Sequence, residues 1–170
     1  MGSGKSTIGK KLAKKLAVDF IDLDKYIEEK ESNTIAEIFE QKGKSEFRRI
    51  EQKALNEVSK LDNKVISLGG GTPCFNNNMD VIAKTGTSIY LKMPIGMLAN
   101  RLINAKVQRP LIKGKTSEEL NSFIEEHLEE RELFYYKASF VYNASSVDVG
   151  ELSKVFFDFN RDIETINKYE

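Results

Sequence analysis

The segment MGSGKST at the start of the chain combines residue types that bind phosphate. Gly4, Lys5 and Ser6 fill the closing positions of the pattern G-x-x-x-x-G-K-[ST], in which glycines let successive backbone N–H groups point at an anion. The lysine of this pattern reaches the β- and γ-phosphates of a nucleotide, and the next hydroxyl is placed to bind Mg²⁺. The segment therefore predicts a nucleotide site made of Gly2, Ser3, Gly4, Lys5, Ser6 and Thr7.

A chance glycine-rich turn or the remnant of an expression tag would give similar letters. The residues that follow argue against both, because Ile8, Leu12 and Leu16 recur every four positions and predict the buried face of a helix from Ser6 to Ala17. A helix starting there adds the positive end of its dipole to the anion site. The lysines off this face could form a basic patch, but a solvated surface is the simpler interpretation.

Two carboxylates follow the next apolar segment, VDFIDLD. Residues two apart in an extended strand share a side, so Asp22 and Asp24 are predicted to point the same way. One could hold a hydrated metal ion while the other accepts a hydrogen bond from a substrate hydroxyl. The alternative is that either aspartate only caps the following helix.

Arginines at three places in the chain are candidates for binding anions. Arg48 and Glu51 share a helix face, so they form either a surface ion pair or an arginine fork that Glu51 orients toward a carboxylate. Arg109 lies in the polar, basic segment KVQRPLIKGK, which is either a lid over the transferred phosphoryl group or a solvated loop. Arg131 and Tyr135 are four apart and could simply stack.

Gly69, Gly70 and Gly71 end the apolar run KVISL. Glycine in a strand weakens it and often marks a close approach of backbone or ligand, so three in succession predict such an approach. A plain turn would need one or two.

The order of elements predicts the α/β class. Short apolar runs at VDFID, KVISL, TSIYLKM and SFVYN alternate with helical patterns, which is typical of a parallel sheet with helices on both faces. Capping boxes at Thr34 and Thr116 mark helix starts. The phosphate loop needs a strand to precede it, so we expect a fifth strand and the first loop glycine ahead of Met1, with a misassigned start preferred over truncation.

Composition limits the partners. Lys and Arg total 26, as do Asp and Glu, so the formal charge is zero and a dedicated nucleic-acid or membrane binder is not expected. One cysteine, Cys74, excludes an internal disulfide and fits a reducing cytoplasm. No apolar run approaches the roughly 18 residues of a membrane span.

Taken together, these segments resemble the shikimate kinase family. The match runs from Met1 to about Ala144 and is carried by GSGKST, DLD, FRRIE, GGGTP, RPLI and RELFY in that order. The resemblance implies a P-loop NTPase-type three-layer α/β/α fold like that of nucleoside monophosphate kinases. Arg101 corresponds only loosely to the family's adenine-contacting arginine, and residues from Ser145 onward match no motif.

The resemblance also implies transfer of the ATP γ-phosphoryl group to the 3-hydroxyl of shikimate, with ATP and Mg²⁺ as cofactors. Lys5, Asp24 and Arg109 would be catalytic, and Arg109 would also contact ATP. Ser6 and Asp22 would hold the metal. Shikimate would be bound by Asp24, Arg48, Gly69, Gly70, Gly71 and Arg131.

We expect a single kinase domain over residues 1–170, a helical substrate-binding region at about 24–61, a lid at about 106–118, a monomer and a cytoplasmic location. Alternatives are another P-loop kinase acting on gluconate or a nucleoside monophosphate, or a non-catalytic truncated relative.

Overall fold

The computed structural model describes residues 2–105 and 114–154. Helices and strands alternate along these residues, as predicted for the α/β class. The helices are α1 (Lys5–Leu16), α2 (Leu23–Glu31), α3 (Ile35–Val58), α4 (Asn78–Thr85), α5 (Ile95–Ile103) and α6 (Ser117–Tyr135). The strands are β1 (Asp19–Asp22), β2 (Lys64–Ser67), β3 (Ile89–Lys92) and β4 (Phe140–Asn143). A 3₁₀ turn covers Thr72–Cys74, and residues 149–154 are helical.

All four described strands pair in parallel, which confirms the predicted class. β1 pairs with β2, with Asp22 opposite Ser67, and β3 pairs with β4, with Lys92 opposite Asn143. The described strands form two separate pairs, β1 with β2 and β3 with β4. The carboxyl ends of β1 and β2 lie side by side because parallel strands in register end at the same edge.

Helix α1 packs on β1 and β2 and belongs to a hydrophobic cluster that reaches β3. Its buried residues Ile8 and Leu12 form this cluster with Leu152, and Val65 of β2 and Leu91 of β3 pack against it. The predicted lysine face of α1 is exposed to solvent, at Lys10, Lys11, Lys14 and Lys15. The helix therefore uses one apolar stripe to hold the two pairs beneath the loop that precedes it.

Residues 23–58 contain three helical pieces: α2 and the two parts of α3 that a kink at Gly43 separates. α2 and α3 pack together, and the capping box at Thr34 forms as predicted, with the Glu37 amide donating to Thr34 Oγ1. Gly43 takes non-helical backbone angles, at φ 77° and ψ 173°, and divides α3 into two helical parts. Because this φ lies in the left-handed region, glycine permits a kink there that other residues would resist.

Helix α6 begins at the second predicted capping box, where Thr116 and Glu119 bond reciprocally. Leu120 and Ile124 bury its apolar face against α5 and β3. In residues 2–105 and 114–154, no helix is long and apolar enough to cross a membrane.

Candidate functional site

The loop before α1 has the backbone of an anion site. Gly2 and Gly4 take left-handed conformations, at φ 71° and 83°, which glycine adopts without steric strain. Gly4 is the N-cap of α1, so the N–H groups of the first helical turn point toward the loop. Ser3 is buried, and Arg101 of α5 donates to its carbonyl at 3.4 Å, so the loop is fixed from below.

A small cavity of about 90 Å³ opens where this loop meets the ends of β1 and β2. Eight residues from three segments form its wall, and six of them were predicted to belong to the site. They are Lys5, Ser6, Asp22, Asp24, Ser67, Leu68, Gly69 and Gly70. The loop, the aspartate pair and the glycine run therefore face one space. Of the remaining predicted loop residues, Thr7 is exposed on the first turn of α1.

Ser6 and Asp22 meet directly. Ser6 Oγ donates to Asp22 Oδ2 at 2.6 Å, and Ser67 Oγ lies 3.5 Å from Ser6 Oγ. Asp22 occupies the N-cap position of α2 but makes no side-chain cap bond, so capping does not account for its carboxylate. A hydroxyl and a carboxylate suit Mg²⁺, which binds oxygen ligands and usually keeps several waters.

The prediction that Asp24 lies on the strand with Asp22 is wrong. The strand ends at Asp22, and Asp24 lies in the first turn of α2, because the helix begins at Leu23, a fully buried residue of the α2–α3 core. Both carboxylates still line the cavity. The Asp24 carboxyl turns inward: its Oδ1 lies 2.8 Å from the position that a Cβ on Gly69 would take.

The environment of Asp24 raises its pKa above the ordinary value. Desolvation is the largest cause, followed by the negative charges of Asp22 and Glu51, while Lys5 acts in the opposite direction. Raised carboxyl pKa values are frequent where proton transfer occurs, although ion-pair networks produce them too. A carboxyl in this position can accept a hydrogen bond from a ligand hydroxyl.

Arg48 and Glu51 form a largely buried pair and not a surface one. The side chains are 16% and 2% exposed, and Arg48 Nη1 donates to Glu51 Oε2. The guanidinium also lies over the Phe75 ring, 4.2 Å from its centroid, and its Nε is buried with no hydrogen-bond partner in the described part of the chain. A stacked, ion-paired arginine has few orientations left, as expected for one that binds a planar carboxylate.

Contacts with neighbouring side chains explain why two of the three positions, Gly69 and Gly71, are glycine. A Cβ on Gly71 would stand 2.8 Å from Arg48 Nη2, and one on Gly69 would meet Asp24 at 2.8 Å and Thr72 Oγ1 at 3.0 Å. All three distances are shorter than van der Waals contact. The predicted close approach is therefore between the glycine backbone and the side chains of the site.

Arg131 and Tyr135 connect α6 to the glycine run. Tyr135 donates its hydroxyl to the Gly70 carbonyl at 2.5 Å, and Arg131 lies one turn before Tyr135 on the same helix. Arg131 and Arg48 also both act electrostatically on the Cys74 thiol, so both guanidinium groups lie near the turn that holds Cys74. This geometry goes beyond the simple stacked pair that the spacing allowed.

Several residues at the site were not predicted. Thr72 bonds to Glu51, Phe75 stacks on Arg48 and Ser67 lies beside Ser6. Each contact joins residues far apart in sequence, so no local pattern indicates it. Arg109 and most of the predicted lid lie outside the described residues.

Comparison with known proteins supports the resemblance over most of the chain. The family model described as Shikimate kinase matches residues 1–160. A shikimate kinase of Azobacteroides pseudotrichonymphae is 48% identical over 153 residues, covering 89% of this chain and 90% of the relative. The Parabacteroides distasonis shikimate kinase is 45% identical over 157 residues, covering 90% and 91% respectively.

Solved structures of shikimate kinases are also similar to this chain. The crystal structure of shikimate kinase from Bacteroides thetaiotaomicron superposes with a TM-score of 0.88 at 42% identity, covering 92% of this chain and 93% of that one. Shikimate kinase from Acinetobacter baumannii in complex with shikimate gives a TM-score of 0.81 at 29% identity, covering 95% and 89%. These matches confirm the predicted fold and an ATP-dependent kinase of a small molecule. The chain belongs to the shikimate kinase family.

Proposed function

We propose that this chain transfers the γ-phosphoryl group of ATP to the 3-hydroxyl of shikimate. The observation that carries the proposal is the meeting of two anion-binding regions at Gly69 and Gly70. On one side, both glycines line the cavity with Lys5 and Ser6. On the other, Gly70 accepts a hydrogen bond from α6 and the Arg48 guanidinium lies against the next residue, Gly71.

The ATP phosphates are bound by the loop from Gly2 to Thr7. Its backbone N–H groups and the α1 dipole favour negative charge, and Lys5 neutralises the β- and γ-phosphates. Ser6 and Asp22 hold Mg²⁺, which offsets phosphate charge when bound. Phosphoryl transfer asks little covalent chemistry of the protein, so its contribution is to place the reactants and stabilise charge.

The acceptor is fixed by its carboxylate and its hydroxyl. Arg48 and Arg131, from helices far apart in sequence, bind the carboxylate from two sides of the glycine turn. Asp24 accepts a hydrogen bond from the 3-hydroxyl and receives its proton as that oxygen bonds to the γ-phosphorus and the bond from this phosphorus to the leaving ADP breaks. Gly69, Gly70 and Gly71 form the wall between the two ligands. The relative from Acinetobacter baumannii was solved in complex with shikimate, which supports this acceptor.

The remaining parts of the proposal concern the whole chain. Residues 1–170 form one kinase domain, α2 and α3 (about 24–61) form the substrate-binding region, and Arg109 in a lid at about 106–118 stabilises the transferred phosphoryl group. The protein acts in the cytoplasm as a monomer without nucleic acid or membrane partners, consistent with its zero formal charge.

Phosphorus NMR tests the activity directly. The chain is incubated with ATP, Mg²⁺ and one acceptor at a time: shikimate, gluconate or AMP. We expect a new phosphomonoester signal with shikimate alone, lost in Lys5→Ala and kept in Lys11→Ala, an exposed lysine on the same helix. A product with gluconate or AMP but not shikimate would favour a different small-molecule kinase, and no product would favour a non-catalytic relative.

A further inference from the structure

Thr72 is a fully buried polar residue to which the proposed reaction assigns no role. It is 0% exposed, and its Oγ1 donates to Glu51 Oε1 at 2.6 Å. The Thr72 backbone is fixed as well. Its N–H donates to the Gly69 carbonyl at 3.1 Å, and its carbonyl accepts a hydrogen bond from Asn78 Nδ2 at 2.9 Å. The hydroxyl is therefore held by backbone contacts on both sides of the residue.

Glu51 needs such a donor because it is a buried carboxylate. It is 1% exposed, and its two oxygens have different partners: Oε2 accepts from Arg48, and Oε1 accepts from Thr72. A buried charge is stable only when its hydrogen-bonding capacity is met, and a carboxylate held at both oxygens cannot rotate. Thr72 therefore fixes the plane of the carboxylate to which Arg48 is paired.

The orientation of Glu51 decides where the rest of the guanidinium points. Nη1 of Arg48 is used by Glu51, the ring of Phe75 covers one face, and Nη2 lies beside Gly71. If Glu51 turned about its side chain, the guanidinium would have to follow or break the ion pair. Either movement would take Nη2 away from the glycine turn.

We infer that Thr72 is a positioning residue for the acceptor: its hydroxyl fixes Glu51, and Glu51 fixes the Arg48 fork for the substrate carboxylate. This inference rests on the proposed function for the identity of that carboxylate. Thr72 touches neither reactant in this scheme, so it governs binding of the acid and not the phosphoryl step.

Thr72→Val removes the hydroxyl and keeps the shape of the side chain. We expect the KM for shikimate to rise about tenfold, near the lower end of what losing a hydrogen bond to a charged group brings. The KM for ATP and kcat should change less than twofold. Thr72→Ser should restore the wild-type KM. Thr85→Val is the matched control, because the exposed Thr85 bonds through its Oγ1 to the Val81 carbonyl within its own helix, α4.

A double-mutant cycle separates positioning from a general loss of stability. In a Glu51→Gln background, Thr72→Val should add no further change in the KM for shikimate, because the route to Arg48 is already broken. Full additivity of the two effects would overturn the inference. Should Thr72→Val fail to fold, Thr72→Ala and Thr72→Ser provide the same comparison, since they differ by the hydroxyl alone.

A measurement without substrate keeps this inference distinct from the proposed function. Nitrogen-15 NMR of the Arg48 side chain reports rotation of the guanidinium, which should be slow in the wild type and in Thr72→Ser and several-fold faster in Thr72→Val. Unchanged rotation in Thr72→Val would refute the positioning role even if the wild type phosphorylates shikimate. If the Arg48 guanidinium rotates faster in Thr72→Val but the wild type does not phosphorylate shikimate, the positioning role of Thr72 is supported and the proposed acceptor is refuted.

Discussion

Replacing Arg48 by lysine and by alanine separates the two tasks of this residue, pairing a buried carboxylate and binding the substrate. Nη1 pairs with Glu51, so Nη2 beside Gly71 is the group left for a ligand. Lysine has one nitrogen and cannot serve both partners in the same plane. Because Glu51 is 1% exposed, we expect the ammonium to pair with it and the ligand contact to be lost.

The size of each effect follows from these contacts. Losing one hydrogen bond between charged groups is worth about 1.5–3 kcal/mol, so Arg48→Lys should raise the KM for shikimate about 10- to 150-fold. Arg48→Ala also leaves Glu51 as a buried charge without its cation, which destabilises a protein by about 3–5 kcal/mol. At about 2–4 °C per kcal/mol for a chain of this size, its Tm should fall by about 6–20 °C.

Steady-state kinetics with each substrate varied, together with thermal unfolding, measure both effects. Arg49→Lys is the matched control, since Arg49 forms an exposed pair with Glu46 one position along the same helix. The reasoning would be refuted if Arg48→Lys raised the KM values for ATP and shikimate equally. It would also be refuted if Arg48→Ala kept the wild-type Tm.

Three further predictions follow. Asp24→Asn should lose turnover but still bind nucleotide. Desolvation of the Asp24 carboxyl and the charges of Asp22 and Glu51 raise its pKa, so its ionised form weakens folding once pH rises through that raised pKa. The variant should therefore gain stability near neutral pH, and an unchanged Tm would contradict this. Gly71→Ala should raise the KM for shikimate by about tenfold or more, because the new Cβ would displace Arg48. Gly86→Ala is the control, since a Cβ there has open space around it and should leave the KM unchanged. Equal effects of the two substitutions would contradict the close approach of Gly71 and Arg48. Burial raises the pKa of Cys74, the single cysteine, so its reaction with a maleimide should be slow at pH 7. Bound shikimate should slow this reaction further, as measured by mass spectrometry of the labelled chain. A labelling rate that shikimate does not change would place the ligand elsewhere.

Features set by neighbouring residues were predictable from the sequence. The capping boxes at Thr34 and Thr116 form as expected, because their partners lie three residues away. The four described strands occur where apolar runs meet turn residues. The resemblance that these motifs carry is confirmed by the family match.

Features that depend on distant residues were not predictable. Thr72 and Glu51 are separated by 21 positions, and Tyr135 and Gly70 by 65, so no periodicity links them. The end of β1 was predicted too late in the sequence for a related reason. The helix α2 begins at Leu23, whose side chain is buried in the core between α2 and α3. A short apolar pattern does not show that such packing partners exist. The roles of the site residues themselves stay predictions.

A crystal structure of this chain with shikimate and a non-hydrolysable ATP analogue tests the central claim most directly. The account predicts that the carboxylate lies between Arg48 and Arg131, that the 3-hydroxyl lies within hydrogen-bond distance of Asp24, and that the γ-phosphate lies beside Lys5. Shikimate bound with its carboxylate away from Arg48, or with its 3-hydroxyl pointing away from the cavity between Lys5 and Gly70, would contradict it.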